Sequence, residues 1–300
     1  MQAMFTVEFQ AMASPCQVLL AAAGEAEARA LAEPAIAEVR RIETKYSRYR
    51  ADSVVSAING AAGGAAVPLD PETLALLQYA GQLYQLSGGL FDITTGVLRK
   101  AWNFKAPRVP TADELAPLLA LTGWSRVDLS EDGVCLPQAG MELDFGGFGK
   151  EYAADRAAAI LLAQGVRSGY VNLGGDMRVL GPQPDGSPWR IGIRHPRPEG
   201  DQEQTMASID VSSGALATSG DYERYFELDG RRYCHILDPA SGYPVTAWRS
   251  VSVLAPLTVA AGACATIAML KGAQALEFLA ASGNAWLAQD ATGGLHSAGV

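Results

Sequence analysis

Apolar and polar positions alternate between residues 5 and 20, the period of a half-buried strand, with Ser14-Pro15 interrupting them. The pattern predicts a strand pair bent near Ser14-Pro15. From 25 to 46 the spacing becomes helical, and Pro34 is expected to kink or split that helix. Asp70-Pro71-Glu72 reads as a helix start, with aspartate as cap and proline in the first turn. Leu74, Leu77, Tyr84 and Leu86 carry that helix to Gly88-Gly89. An alanine-rich helix is expected over 150–164, and strands over 170–180, 189–195 and 206–212. Residues 225–228 and 232–237 read as a hairpin turned at Asp229-Gly230. A strand at 251–255 and helices at 259–270 and 274–281 follow, while 182–188 and 197–204 read as polar loops. Strands and helices mix without a strict βαβ rhythm, so the fold class is α+β rather than a doubly wound sheet.

Residues 251–270 are nearly free of charge over about 20 positions, long enough to span a bilayer. Pro256 and the small residues of 260–265 instead predict a buried strand followed by a buried helix, with no membrane insertion. A hydrophobic share of 49% against 18% charged fits a chain with a sizeable core. The net charge of −9 leaves no broad basic face, which argues against a nucleic-acid partner. A small anionic ligand stays open, because a few arginines and helix N-termini can hold one. Cys16, Cys135, Cys234 and Cys264 lie far apart without a CxxC pair, so they are expected to be reduced and mostly buried. The first ten residues carry no basic-then-apolar leader and no lipid-accepting cysteine. The expected compartment is the cytoplasm, or the periplasm if a leader has been removed.

Chemically capable groups are densest in 218–244, TSGDYERYFELDGRRYCHILDPASGYP. This run is too charged for a core and too aromatic for an ordinary surface. His235 is its one histidine, and Cys234 beside it reads as a packing residue rather than a nucleophile. Four other segments add polar or flexible groups. Ser47-Arg48-Tyr49 offers a ring that could stack on a planar ligand, or is simply a polar helix end. Phe91-Asp92-Ile93-Thr94-Thr95-Gly96 is either a ligand-facing loop or a plain connection. Asp144-Phe145-Gly146-Gly147-Phe148-Gly149-Lys150 sets three glycines before a helix N-terminus, without the spacing of a dinucleotide fingerprint or a P-loop. Asn172-Leu173-Gly174-Gly175-Asp176 breaks an apolar strand and reads as a bulge or a close approach.

Taken in order, these segments resemble the ApbE-like family of FAD:protein FMN transferases, and the resemblance runs from Met12 to about Gly272. The stretch from Tyr233 through His235-Ile236-Leu237-Asp238-Pro239 to Gly242-Tyr243-Pro244 is its most specific part. The resemblance implies one ApbE-like (T-fold-like) domain over 1–300, with two intertwined α+β halves around a flavin pocket. It also implies an enzyme that binds FAD with Mg²⁺, moves the FMN half onto a Ser or Thr hydroxyl of an acceptor protein and releases AMP. Position by position, it makes Met12, Tyr49, Thr94, Thr95, Gly96, Asp144, Lys150 and Leu237 cofactor contacts and His235 the catalytic histidine. Gly147, through its carbonyl, and Thr266 become metal ligands.

One departure bears on the metal. The family's late motif, Ala-Asp-Ala-x-x-Thr, reads Ala261-Gly262-Ala263-Cys264-Ala265-Thr266 here, and Ala265 supplies no second carboxylate. Mg²⁺ prefers carboxylate and water oxygens, so the expectation is a weak or absent metal, or a substitute acid such as Asp221. The alternative activities are metal-independent or non-catalytic FAD binding, and FAD hydrolysis to FMN and AMP.

Overall fold

The structure is a computed structural model that describes residues 3–198 and 204–300. Most of the polar loop expected at 197–204 therefore lies outside the described residues. The chain begins with an antiparallel hairpin, β1 (Ala3–Ala11) and β2 (Ser14–Ala22), in which Ala11 faces Ser14 across a two-residue turn. Met12 and Ala13 both have positive φ there, 54° and 57°. Reversal thus falls two residues before the expected bend, and Pro15 sits inside β2 opposite Gln10. The Met12 N–H donates to Glu43 Oε1 at 2.6 Å, which pins the strained turn to the next helix.

That helix, α1 (Glu25–Tyr46), runs on through Pro34 unsplit. Its buried stripe of Ala28, Ala32, Ala35, Ile36, Val39 and Ile42 continues on both sides of the proline, so burial outweighs the one hydrogen bond lost. After it come α2 (Val54–Gly60), which the sequence patterns did not reveal, and α3 (Pro71–Ser87). Asp70 caps α3 by accepting from the N–H groups of Glu72 and Thr73, and Gly88 ends it at φ 73°, both as expected.

A 3-10 helix (Ile93–Lys100), α4 (Ala112–Leu119) and a two-stranded β3 (Asp128–Ser130) and β4 (Gly133–Cys135) lead to α5 (Gly149–Ala163). Next is the pair β5 (Gly169–Leu173) and β6 (Asp176–Gly181). The segment 170–180, read from sequence as one interrupted strand, is this hairpin. Gly174 and Gly175 stand at φ 59° and 100°, a turn that reverses the chain, and Asn172 Oδ1 accepts from the Gly175 N–H at 2.8 Å. The remaining strands are β7 (Trp189–Arg194), β8 (Thr205–Val211), β9 (Gly214–Gly220), β10 (Tyr225–Leu228), β11 (Arg231–Cys234) and β12 (Trp248–Ala255). Helices α6 (Thr258–Lys271) and α7 (Ala275–Ala281) and strands β13 (Ala285–Asp290) and β14 (Leu295–Ala298) complete the chain.

Eight strands form one antiparallel sheet in the order β1-β2-β5-β6-β9-β12-β13-β14. The uncharged stretch 251–270 is thus a central strand and a core helix, as predicted. Alternation assigns the faces. Val18, Leu20, Val171 and Leu173 meet α1 and α5 on one side, while Ala217, Val251, Val253 and Ala288 meet α6 and α7. Met177, Val179, Leu216 and Leu287 point the other way, under the β7–β8 ribbon. Helix α6 packs against both α5 and β9, so the turn before α5 and the middle of α6 meet at the centre of the sheet.

Candidate functional site

Three connections converge over that centre. The first is the loop before the 3-10 helix. Asp92 Oδ1 accepts from the Thr94 N–H at 2.8 Å and from its hydroxyl at 2.6 Å, and Oδ2 accepts from the Trp124 N–H at 2.9 Å. Thr94 Oγ1 in turn accepts from the Gly123 N–H at 2.7 Å. Thr94 is fully buried, so its side chain braces the loop from within and leaves Thr95 as the loop's partly exposed hydroxyl. The hydroxyl of Thr94, a residue expected among the cofactor contacts, is already both donor and acceptor inside the protein.

The second connection is the glycine turn before α5. The Asp144 N–H donates to the Ile93 carbonyl at 2.9 Å, which ties this turn to the first loop. Asp144 pairs with Arg48 at 2.8 Å, and Arg48 also donates to the Gly96 carbonyl at 3.2 Å. Gly96 has to be glycine because a Cβ there would lie 2.8 Å from that of Asp144. Gly147 has the same need: its Cβ would lie 2.9 Å from the Phe91 ring. Arg48, given no role by sequence reasoning, is the strut between helix α1's end and both loops. Its neighbour Tyr49 lies under the guanidinium, 5.1 Å from ring centre, yet stays 75% exposed. An exposed ring is free to stack on a flat ligand.

The third connection is the β10–β11 hairpin and the turn after it. Asp229 and Gly230 take φ 51° and 72°, the expected two-residue turn, although β11 ends at Cys234 rather than 237. The His235 N–H donates to the Arg224 carbonyl at 3.0 Å and prolongs the pairing by one residue. Asp238 accepts from the N–H groups of Ala240 and Ser241 and from the Ser241 hydroxyl, which closes the Asp-Pro-Ala-Ser-Gly loop on itself. Trp102 Nε1 donates to the Gly242 carbonyl at 2.8 Å, and Leu237 joins Trp102, Phe226 and Tyr243 in one apolar cluster. Leu237 therefore carries the hairpin on the 3-10 helix.

Electrostatics distinguish the two residues of the Cys-His pair. Burial pushes the Cys234 thiol up to about 11, which leaves it protonated and inert. His235 is exposed to solvent, although neighbouring atoms crowd its ring. That desolvation, with the cations of Arg224 and Lys150, pushes its pKa down to about 4. At neutral pH it is an uncharged imidazole within the field of Lys150, the state a proton acceptor needs.

Lys150 reaches Asp176 at 2.7 Å. Burial works against its charge, but the carboxylates of Asp176 and Glu151 more than offset it and raise its pKa. Asp176 also accepts from the Thr218 N–H at 3.2 Å, which links α5 to β6 and β9. Thr266, on α6, shares a 2.7 Å hydrogen bond with Ser219 of β9. The substitute acid considered from sequence, Asp221, is held elsewhere: Arg197 grips both its oxygens at 2.8 and 2.6 Å. The acid that does meet position 262 is Glu151. A Cβ on Gly262 would lie 2.7 Å from Glu151 Cγ and Oε1, so the Glu151 carboxyl occupies the space beside that glycine. Glu151 is 7% exposed, and its Oε2 is buried without a hydrogen-bond partner. Burial, then the Asp176 charge beside it, raises its pKa. Its sequence signal was slight, one acid directly after Lys150 in an alanine-rich helix. Among the described residues no three His, Cys, Asp or Glu side chains converge as a metal cluster. The acid beside Gly262 is thus carried by α5 and not by the late motif on α6.

The loops, the glycine turn and the histidine hairpin occur in one order along the chain, and a model of the ApbE family matches residues 5–287. The chain belongs to the ApbE family. It is 38% identical to the FAD:protein FMN transferase of Klebsiella pneumoniae (strain 342), over 72% of this chain and 67% of the relative. Identity is 36% to the FAD:protein FMN transferase of Treponema pallidum, over 82% of this chain and 73% of that one. Among solved structures, the ApbE protein of Thermotoga maritima superposes with a TM-score of 0.90 at 32% identity, covering 99% of this chain and 97% of that one. The Pseudomonas stutzeri flavinyl transferase ApbE gives 0.86 at 30% identity, covering 99% and 95%. The mixed α/β fold with one large antiparallel sheet is thus that of the ApbE structures.

Proposed function

We propose that this protein is an FAD:protein FMN transferase that moves FMN from FAD to a Ser or Thr hydroxyl of an acceptor protein and releases AMP. The observation that carries this reading is the fold shared with the flavinyl transferase ApbE, in which His235 follows the hairpin as an exposed histidine and Tyr49 stands exposed for a flat ring. In the transfer, the acceptor oxygen forms a bond to the phosphorus of the FMN half. The bond from that phosphorus to the bridging oxygen breaks, and AMP leaves with this oxygen. The acceptor's proton passes to His235. Lys150, at the start of α5, offers positive charge to the pyrophosphate. When bound, Mg²⁺ would neutralise charge on the pyrophosphate, with the Gly147 carbonyl and the Thr266 hydroxyl among the oxygens that hold it.

The test is to incubate purified protein with FAD and Mg²⁺, measure AMP by chromatography, and look for covalent flavin fluorescence on proteins of an added lysate. AMP with protein-bound flavin is the expected result. Bound FAD that yields no AMP would reduce the protein to a flavin binder. AMP with only free FMN would make it a hydrolase.

A further inference from the structure

Position 262 carries a glycine in the interior of α6, a choice that costs a helix about 1 kcal/mol relative to alanine. The structure gives the reason. Any side chain at 262 would collide with Glu151, whose Cγ and Oε1 would both stand 2.7 Å from the new Cβ. Glycine is thus the residue that lets a carboxyl from the neighbouring helix α5 enter. Residues 262 and 266 lie four apart, so the entering carboxyl faces the same side of α6 as Thr266, one turn away. From its own helix, Glu151 stands four residues after Gly147, across the first turn of α5. Glu151 Oε2 is fully buried and accepts no hydrogen bond, and the Asp176 carboxyl stands within reach of the Glu151 carboxyl, so two acids meet there, an arrangement that is costly unless a proton or a cation joins them. The Asp176 carboxylate nearby is engaged by Lys150 and by the Thr218 N–H.

We propose that Glu151 is the carboxylate ligand of a divalent cation in this chain, reaching from α5 over Gly262 to stand where the family motif carries its aspartate. The Thr266 hydroxyl and the Gly147 carbonyl are its neutral companions. The site keeps a single carboxylate but takes it from a different helix, and Gly262 and Glu151 form a compensating pair rather than a lost ligand. This inference rests on the transferase reading only for the identity of the ion as Mg²⁺. The hard oxygen set suits Mg²⁺ or Mn²⁺.

The probe is Mn²⁺ alone, followed by the loss of its free six-line paramagnetic resonance signal on titration with the full chain. Glu151→Gln keeps shape and removes charge, and is expected to weaken Mn²⁺ binding by roughly tenfold or more. Gly262→Ala leaves the charge unchanged but drives its Cβ into Glu151, and is expected to weaken binding as well. The double variant Glu151→Gly/Gly262→Asp moves the carboxylate to the family position and is expected to restore affinity to about the wild-type level. Circular dichroism checks the fold of each, and if Glu151→Gln does not fold, the double variant alone decides. Wild-type affinity in a folded Glu151→Gln, no Mn²⁺ binding by the wild type, or no binding by a folded double variant overturns the proposal. AMP release measured in parallel separates the two readings. Mn²⁺ binding that depends on Glu151 without AMP release sinks only the transferase. Mg²⁺-dependent transfer with unchanged metal affinity in Glu151→Gln sinks only the ligand assignment.

Discussion

Replacing Asp92 tests whether the Thr-Thr-Gly loop is held from inside or by its ligand. The carboxylate is nearly fully buried and accepts three hydrogen bonds: the Thr94 N–H and hydroxyl on Oδ1, and the Trp124 N–H on Oδ2. In Asp92→Ala the Thr94 hydroxyl can rotate, but the two backbone N–H groups cannot. Each stranded buried donor costs about 1–3 kcal/mol, so the expected loss is about 2–6 kcal/mol. Asp92→Asn keeps Oδ1 with both Thr94 bonds and exchanges only Oδ2, which limits the loss to about 1–3 kcal/mol. Chemical denaturation without flavin measures both, and the slope with denaturant should stay constant while the midpoint falls. FAD titration of the folded alanine variant should show weaker binding, because the loop that carries Thr95 and Gly96 loses its brace. If Asp92→Ala unfolds within about 1 kcal/mol of the wild type, or if Asn costs as much as Ala, the internal brace is not what holds the loop.

Two further outcomes follow from the site. The His235 pKa lies near 4, below its ordinary 6.5, so the folded chain binds fewer protons than the unfolded chain between those values. Its contribution to stability is present above pH 6.5 and is lost as pH falls toward 4. kcat/KM should stay level down through pH 6.5 and decline only as pH nears 4, and His235→Gln should lose about 10²–10⁴-fold in transfer while still binding FAD. A decline centred at 6.5 would refute the lowered pKa, and transfer unchanged in His235→Gln would remove His235 as the base. Tyr49→Ala should leave thermal stability unchanged, because the ring is 75% exposed, and should raise the Kd for FAD by at least roughly threefold; equal FAD affinity by fluorescence titration would place the flavin elsewhere.

Much of the fold is legible from local rules. Asp70-Pro71 and Gly88 bound a helix because capping and left-handed φ are properties of single residues, and Asp229-Gly230 turns a hairpin for the same reason. The errors fall where a distant partner decides. Pro34 neither splits nor ends α1, since burial on both sides holds the helix together. Gly174-Gly175 is a hairpin turn and not a bulge, because Asp176 returns along β5 to pair with it. Thr94 is legible as a loop residue, but its burial depends on Gly123 and Trp124, which are about thirty residues away.

The order and residue types of the motifs were enough to determine the family and the flavin-type chemistry, because each is carried by contiguous residues. The acid beside position 262 was not determined in this way. Read along the chain, Gly262 is a missing carboxylate; in three dimensions it is the opening through which Glu151 enters. Residues 111 positions apart share that space only because α5 and α6 pack side by side over the sheet, and helix packing is a contact that sequence spacing does not record.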